Sequence, residues 1–189
     1  MNLTAWVESR QKASAAKLAG RLRIASMPPM PDPRRLGLLD WTRLVLPKYA
    51  ALEFNDLHRR IAADADAARL NRGGRFAYAG PRDTGKSVLL SLASVLRDAV
   101  EGVEEYTLIA SETADLAEKL LYPVREEIET NEILAALYPH ATGEGPVWQQ
   151  DKLRLRNGAV IESLGTGKSL RGSRNRDKRP TKIVCDDAQ

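Results

Sequence analysis

Apolar and polar positions along this chain change period several times, from helical to strand-like and back. After Pro47, Leu57, Ile61, Ala65 and Ala68 recur at helical spacing, which predicts a helix of about twenty residues. Asn71-Arg-Gly-Gly74 ends it. Arg75-Phe-Ala-Tyr-Ala79 then reads as a short buried strand, and Val88 to Val100 as an apolar helix. Tyr106 to Ala110 is a second buried strand of β-prone residues. Ser111 or Thr113 can cap the next helix, with Asp115 in its first turn. Pro123 is expected to interrupt that helix before a second helical stretch reaches Tyr138. Lys152-Leu-Arg-Leu-Arg156 and Ala159-Val-Ile-Glu-Ser163 flank Asn157-Gly158, a strong signal for a tight hairpin. Lys182-Ile-Val-Cys185 is the last apolar strand. Strands alternating with helices predict an α/β fold with a mostly parallel sheet.

The beginning of the chain reads differently. Residues 1–25 form a basic helical arm in which Arg10, Lys12, Lys17, Arg21 and Arg23 face a lone Glu8. Such a run is ordinarily a solvated helix face. Met27-Pro-Pro-Met-Pro-Asp-Pro33 breaks regular structure, so residues 26–46 read as a Pro-rich linker and 47–189 as the folded domain.

Charge and composition narrow the chemistry. A formal charge of +4 permits a nucleic-acid partner without demanding one. Cys185, the single cysteine, excludes an internal disulfide and fits a reducing compartment; it reads as a small buried apolar residue. His58 and His140 are too far apart in sequence for a recognisable zinc spacing. Glu8, Arg10 and Lys12 occupy positions where a secretory signal needs apolar residues, and the expectation is a cytoplasmic protein. Ten acidic residues between Glu101 and Glu132 read as a solvated outer surface.

One segment carries sharper chemistry. Gly80-Pro81-Arg82-Asp83-Thr84-Gly85-Lys86-Ser87 fits the phosphate-loop pattern G-x-x-x-x-G-K-[ST] without a mismatch. Between a strand and a helix N-terminus, consecutive backbone N–H groups and the positive end of the helix dipole converge on an anion. Gly80 and Gly85 would let the backbone close around phosphates. Lys86 would reach the β- and γ-phosphates, and Ser87 would ligate Mg²⁺. The expected ligand is therefore a nucleoside triphosphate, with ATP and Mg²⁺ as the pair.

Ile183-Val-Cys-Asp-Asp187 supplies a second half for such a site. An apolar strand ending in acids places a carboxylate beside the loop, where Asp186 could hold Mg²⁺ directly or through water. Asp187 could then orient and deprotonate an attacking water. Gly165-Thr-Gly-Lys-Ser169 repeats the ending of the motif but has Glu162 where the leading glycine belongs, and no apolar helix follows. It reads as a flexible basic loop. From Lys168 to Lys182 there are seven basic residues and one acid, suited to sequence-independent phosphate contacts or to plain solvation.

The order of these segments resembles the ATPase half of the tailed-phage terminase large subunit, a DNA-packaging motor. The likeness covers residues 45 to 189. It rests on Pro47-Lys-Tyr49, Phe54 and His58, the phosphate loop, Ile109-Ala-Ser111, and Glu129-Thr-Asn131. Its more specific part is Leu170-Arg-Gly172-Ser-Arg174 followed by Arg179-Pro180 and Asp186-Asp187. The resemblance implies a RecA-like (ASCE) sheet and a catalytic role for Arg82 at the γ-phosphate, with the region of Phe54 to His58 near the adenine. It also implies double-stranded DNA, the portal protein and the small terminase subunit as partners, and a ring in the full-length family. Activity would lie in the bacterial host cytoplasm, at the procapsid. The family's acid-rich nuclease domain has no counterpart here. The strand that the family inserts between its two nucleotide-binding strands comes from sequence after the paired acids. The expectation is thus a sheet incomplete at its C-terminus, in a truncated gene product or one piece of a split gene. The competing readings are a fragment that binds nucleotide or DNA without turnover, and, less favoured, a small-molecule kinase. A GTPase is disfavoured by the lack of an Asn-Lys-x-Asp segment.

Overall fold

The computed structural model describes residues 32–51, 53–71, 73–81, 84–166 and 179–186. It is an α/β structure with a five-stranded mixed sheet, in the order β2-β3-β4-β1-β5, flanked by helices. The strands are β1 (Tyr106–Ser111), β2 (Val147–Trp148), β3 (Lys152–Arg154), β4 (Val160–Gly165) and β5 (Lys182–Cys185). β1 runs parallel to both β4 and β5, and β2, β3 and β4 pair in antiparallel fashion. The helices are α1 (Leu38–Val45), α2 (Asp56–Leu70), α3 (Ser94–Glu101), α4 (Ala114–Thr130) and α5 (Glu132–Leu137), and a π-helical turn, Val88–Ala93, leads directly into α3.

β1 is buried at all six positions, as a strand with neighbours on both edges should be. Its Ile109 shares one core with Ile161 of β4, Leu153 of β3 and Val184 of β5, and with side chains of α1, α3 and α4. Trp41 anchors α1 in that core and donates to the Tyr138 hydroxyl at 2.9 Å. The stretch expected to be a linker, residues 26–46, therefore includes a packed helix from Leu38 onward, where Leu38, Trp41, Leu44 and Val45 recur at helical spacing. Residues 1–31 lie outside the described part.

Two further expectations change here and one holds. Pro123 does not interrupt α4: the helix runs through it, because Ala117, Leu121, Val124 and Ile128 bury one continuous face. That burial outweighs a proline cost of about 3 kcal/mol. The Asn157-Gly158 hairpin forms with Arg154 opposite Val160, and Asn157 also donates to the Ala99 carbonyl at the end of α3. The acidic stretch is not wholly solvated. Glu127 pairs with Lys48 at 2.6 Å, and that hydrogen bond raises the lysine pKa. Glu101 has a side chain 2% exposed, held by Arg69, by Arg97 at 3.6 Å and by the Tyr138 hydroxyl.

Residues 75–79, expected to be a buried strand, pair with no strand among the described residues, and Phe76 is 48% exposed. A strand needs a hydrogen-bonding neighbour, and among the described residues this segment has none. Tyr78 instead donates to Asp64 of α2 at 2.7 Å and packs near Phe54, Ile61 and Leu89.

A cluster of ions ties α2, α3 and β5 together. Arg97 meets Asp66 at 2.7 Å and the Leu36 carbonyl at 2.5 Å, while Arg69 bridges Asp98 and Glu101. Lys182 of β5 reaches Asp98 at 2.6 Å. Removing one partner leaves the others charged in a poorly solvated place. Arg97→Ala should therefore cost about 3 kcal/mol or more in urea unfolding. Arg59→Ala, which breaks an exposed pair with Asp56, should leave the unfolding midpoint in place. Equal losses in the two variants would contradict the assignment.

Candidate phosphate-binding site

The glycine loop leaves the 75–79 segment and enters a helical run that starts at Lys86, passes through the π turn and continues as α3. A π turn inside a helix often accompanies a functional site, because it re-aims the side chains around it. Lys86 folds back over the loop: its ammonium donates to the carbonyls of Gly80 (3.0 Å) and Pro81 (2.5 Å) and to the Thr84 hydroxyl (3.1 Å). Thr84 in turn donates to the Pro81 carbonyl at 3.0 Å. Gly85 has φ +76°, a left-handed conformation that favours glycine, and a Cβ there would lie 3.3 Å from His58 Nε2. Ser87 is exposed at the start of the helix.

The period of two in β5 determines where its acid goes. Lys182, Val184 and Asp186 point to one side, and Ile183 (55% exposed) and Cys185 point to the other. Cys185 is thus exposed, contrary to the buried position expected for it. Val184 takes the core-facing position beside Ile109. On the helix side, Ser91 of the π turn donates to Asp186 Oδ2 at 2.9 Å. The Asp186 N–H donates to the Ala110 carbonyl at 3.0 Å, and Ser111 donates to the Asp186 carbonyl at 2.8 Å.

These bonds bring the end of β5 to the helix that leaves the glycine loop. Gly80, Pro81, Thr84, Gly85, Lys86, Ser87 and Asp186 therefore belong to one end of the molecule, at the C-terminal ends of the parallel strands β1, β4 and β5. In open α/β sheets that end is where ligands bind. The carboxylate of Asp186 rests on Ser91, four residues beyond Ser87. Arg82, Asp83 and Asp187 lie outside the described residues, as does most of the basic loop. Gly165 ends β4, and the Thr166 N–H donates to the Ser111 carbonyl, so the lookalike motif begins as a strand end.

Comparison with protein-family models, curated proteins and solved structures finds no match to this chain. Among the described residues, no three His, Cys, Asp or Glu side chains gather as a cage for a metal. Mg²⁺ beside phosphates keeps most of its waters and takes one or two protein oxygens. Ser87 and Asp186 are oxygen donors of that kind. Among the described residues, no helix is long and apolar enough to cross a membrane.

Ser91, which holds Asp186, belongs to no motif, whereas His58, which touches the loop, lies in the Phe54 to His58 stretch expected near a bound adenine. The signal for His58 was present as Asn55-x-x-His58, a capping-box spacing at the start of α2. Ser91 is a polar residue in an apolar helix and gave no signal before its partner was placed.

Tyr78 holds the entry to the loop. Burial first, and then its hydrogen bond to Asp64, raise its hydroxyl above the ordinary tyrosine value. The fold favours the neutral phenol, so this contribution is complete below about pH 10 and fades as pH climbs through the higher folded value. In an absorbance titration, Tyr78→Phe should not change the number of tyrosines ionising near pH 10 in the native chain. It should remove one from those that ionise only on unfolding. Loss of an early-ionising tyrosine is the contrary result.

Proposed function

We propose that this chain binds Mg·ATP in its glycine loop and hydrolyses it, as the ATPase part of a DNA-packaging motor of the terminase large-subunit type. The observation that carries the reading is the Ser91–Asp186 hydrogen bond, which sets a strand-end carboxylate on the helix leaving a complete phosphate-loop motif. A RecA-like order accords with the parallel pairing of β1 with both β4 and β5.

In this reading the loop amides from Thr84 to Ser87 face the phosphates, and Lys86 exchanges its carbonyl partners for phosphate oxygens. Ser87 and Asp186 would hold Mg²⁺, which would supply positive charge against the charge of the triphosphate. Arg82 meets the γ-phosphate, and Asp187 orients the water and takes its proton. Double-stranded DNA, the portal protein and the small subunit are the proposed partners, in the cytoplasm of a bacterial host.

A second reading, nucleotide binding without turnover, is favoured by the irregular 75–79 segment and by Lys86 resting on the loop's own oxygens. Steady-state phosphate release separates the two. Asp187→Ala should lower turnover by about a hundredfold or more while Mg·ATP binding survives. Lys86→Ala should lose both. Turnover left intact in Lys86→Ala would remove the assignment, and binding with no turnover in the unaltered chain would select the second reading.

A further inference from the structure

His58 sits at the third residue of α2 and uses both ring nitrogens. Nδ1 accepts the Asn55 N–H at 3.1 Å, while the Asn55 side chain accepts the His58 N–H, completing a reciprocal cap. With Nδ1 occupied as an acceptor, the proton belongs on Nε2. Nε2 lies 2.5 Å from the Thr84 carbonyl oxygen and donates to it. The ring is oriented from the other side by Phe54, whose centroid lies 5.6 Å away in an edge-on contact.

The consequence is local and geometric. A trans peptide points its C=O and N–H in opposite directions. With the Thr84 carbonyl drawn towards α2, the Gly85 N–H points away from α2. It has no hydrogen-bond partner among the described residues. The left-handed φ of Gly85 maintains that turn. α2 is itself braced against α3 by Asp66–Arg97 and Arg69–Glu101, and it holds the chain before the loop through Asp64–Tyr78. The imidazole therefore transmits the position of a rigid helix to a single peptide plane of the loop.

We propose that His58 is a positioning residue of the phosphate site, holding the Thr84–Gly85 peptide so that the Gly85 N–H is presented to the bound anion. This rests on the phosphate-loop reading. His58 touches no reacting atom, and its effect is on how well the loop is formed before the nucleotide arrives.

Two substitutions separate its two bonds in the full chain. His58→Asn keeps an acceptor near Nδ1 for the Asn55 N–H and loses the reach to Thr84. His58→Gln keeps a donor near Nε2 and weakens the cap. Mg·ATP affinity by calorimetry should fall about tenfold in His58→Asn and stay within about twofold in His58→Gln. Thermal midpoints should follow the opposite order. Equal affinity losses in both variants, or none in either, would overturn the proposal. Lys86→Ala serves as the control for the underlying reading: if it binds Mg·ATP as well as the unaltered chain does, the phosphate site itself is wrong. Hydrogen exchange without nucleotide then judges His58 alone. The Leu89 amide, which donates to the Gly85 carbonyl at 3.3 Å, should exchange faster in His58→Asn than in the unaltered chain or in His58→Gln, and unchanged exchange counts against it.

Discussion

The 2.6 Å contact between Lys182 and Asp98 fixes how β5 lies against α3, and the geometry of the candidate site follows from it. Lys182 also donates to Ser94 at 2.9 Å, and four residues further along the strand Asp186 accepts from Ser91. One helix face, made of Ser91, Ser94 and Asp98, thus meets one strand face, made of Lys182 and Asp186. Seven helical and four extended residues cover comparable lengths, about 10 and 13 Å. The two contacts can therefore be made together only when strand and helix run antiparallel in this register. A one-residue slip in β5 would turn the lysine and the acid to the exposed side.

Such an arrangement costs desolvation, and the surroundings offset it. Arg69, Arg97 and Lys182 face Asp66, Asp98 and Glu101, so the cluster holds as many cations as carboxylates. Tyr138 adds a hydroxyl donor to Glu101 and accepts from Trp41. The neutral form of Tyr138 is favoured in turn, by burial and then by Glu101. The cluster specifies which elements meet, while the apolar core beside it, from Trp41 to Ile161, supplies the bulk of the burial.

Much of this architecture is legible in the sequence. The apolar runs at β1 and β5, the Asn-Gly hairpin and the helix after the glycine loop all stand where the pattern of residues places them. What the pattern missed depends on long-range partners. Leu38 to Val45 is short and follows prolines, so its burial is visible only once Trp41 has found Tyr138. Glu101 reads as surface until Arg69 and Arg97 arrive from other turns and helices. Residues 75–79 have the composition of a strand, but composition cannot supply a neighbouring edge. At the site, the loop and Asp186 carry recognisable chemistry, whereas Ser91 has meaning only through the atom it touches, and the bond from His58 to the Thr84 carbonyl depends on how α2 packs.

In the proposed function the glycine loop and the end of β5 grip the same metal-bound triphosphate. Titrating Mn²⁺·ATP into the isotopically labelled chain tests it directly, because the paramagnetic ion broadens resonances only near itself. The amide signals of Thr84 to Ser87 and of Asp186 should broaden together at low occupancy and recover when Mg²⁺ displaces Mn²⁺. Broadening of the loop with Asp186 untouched, or of neither, would contradict the account.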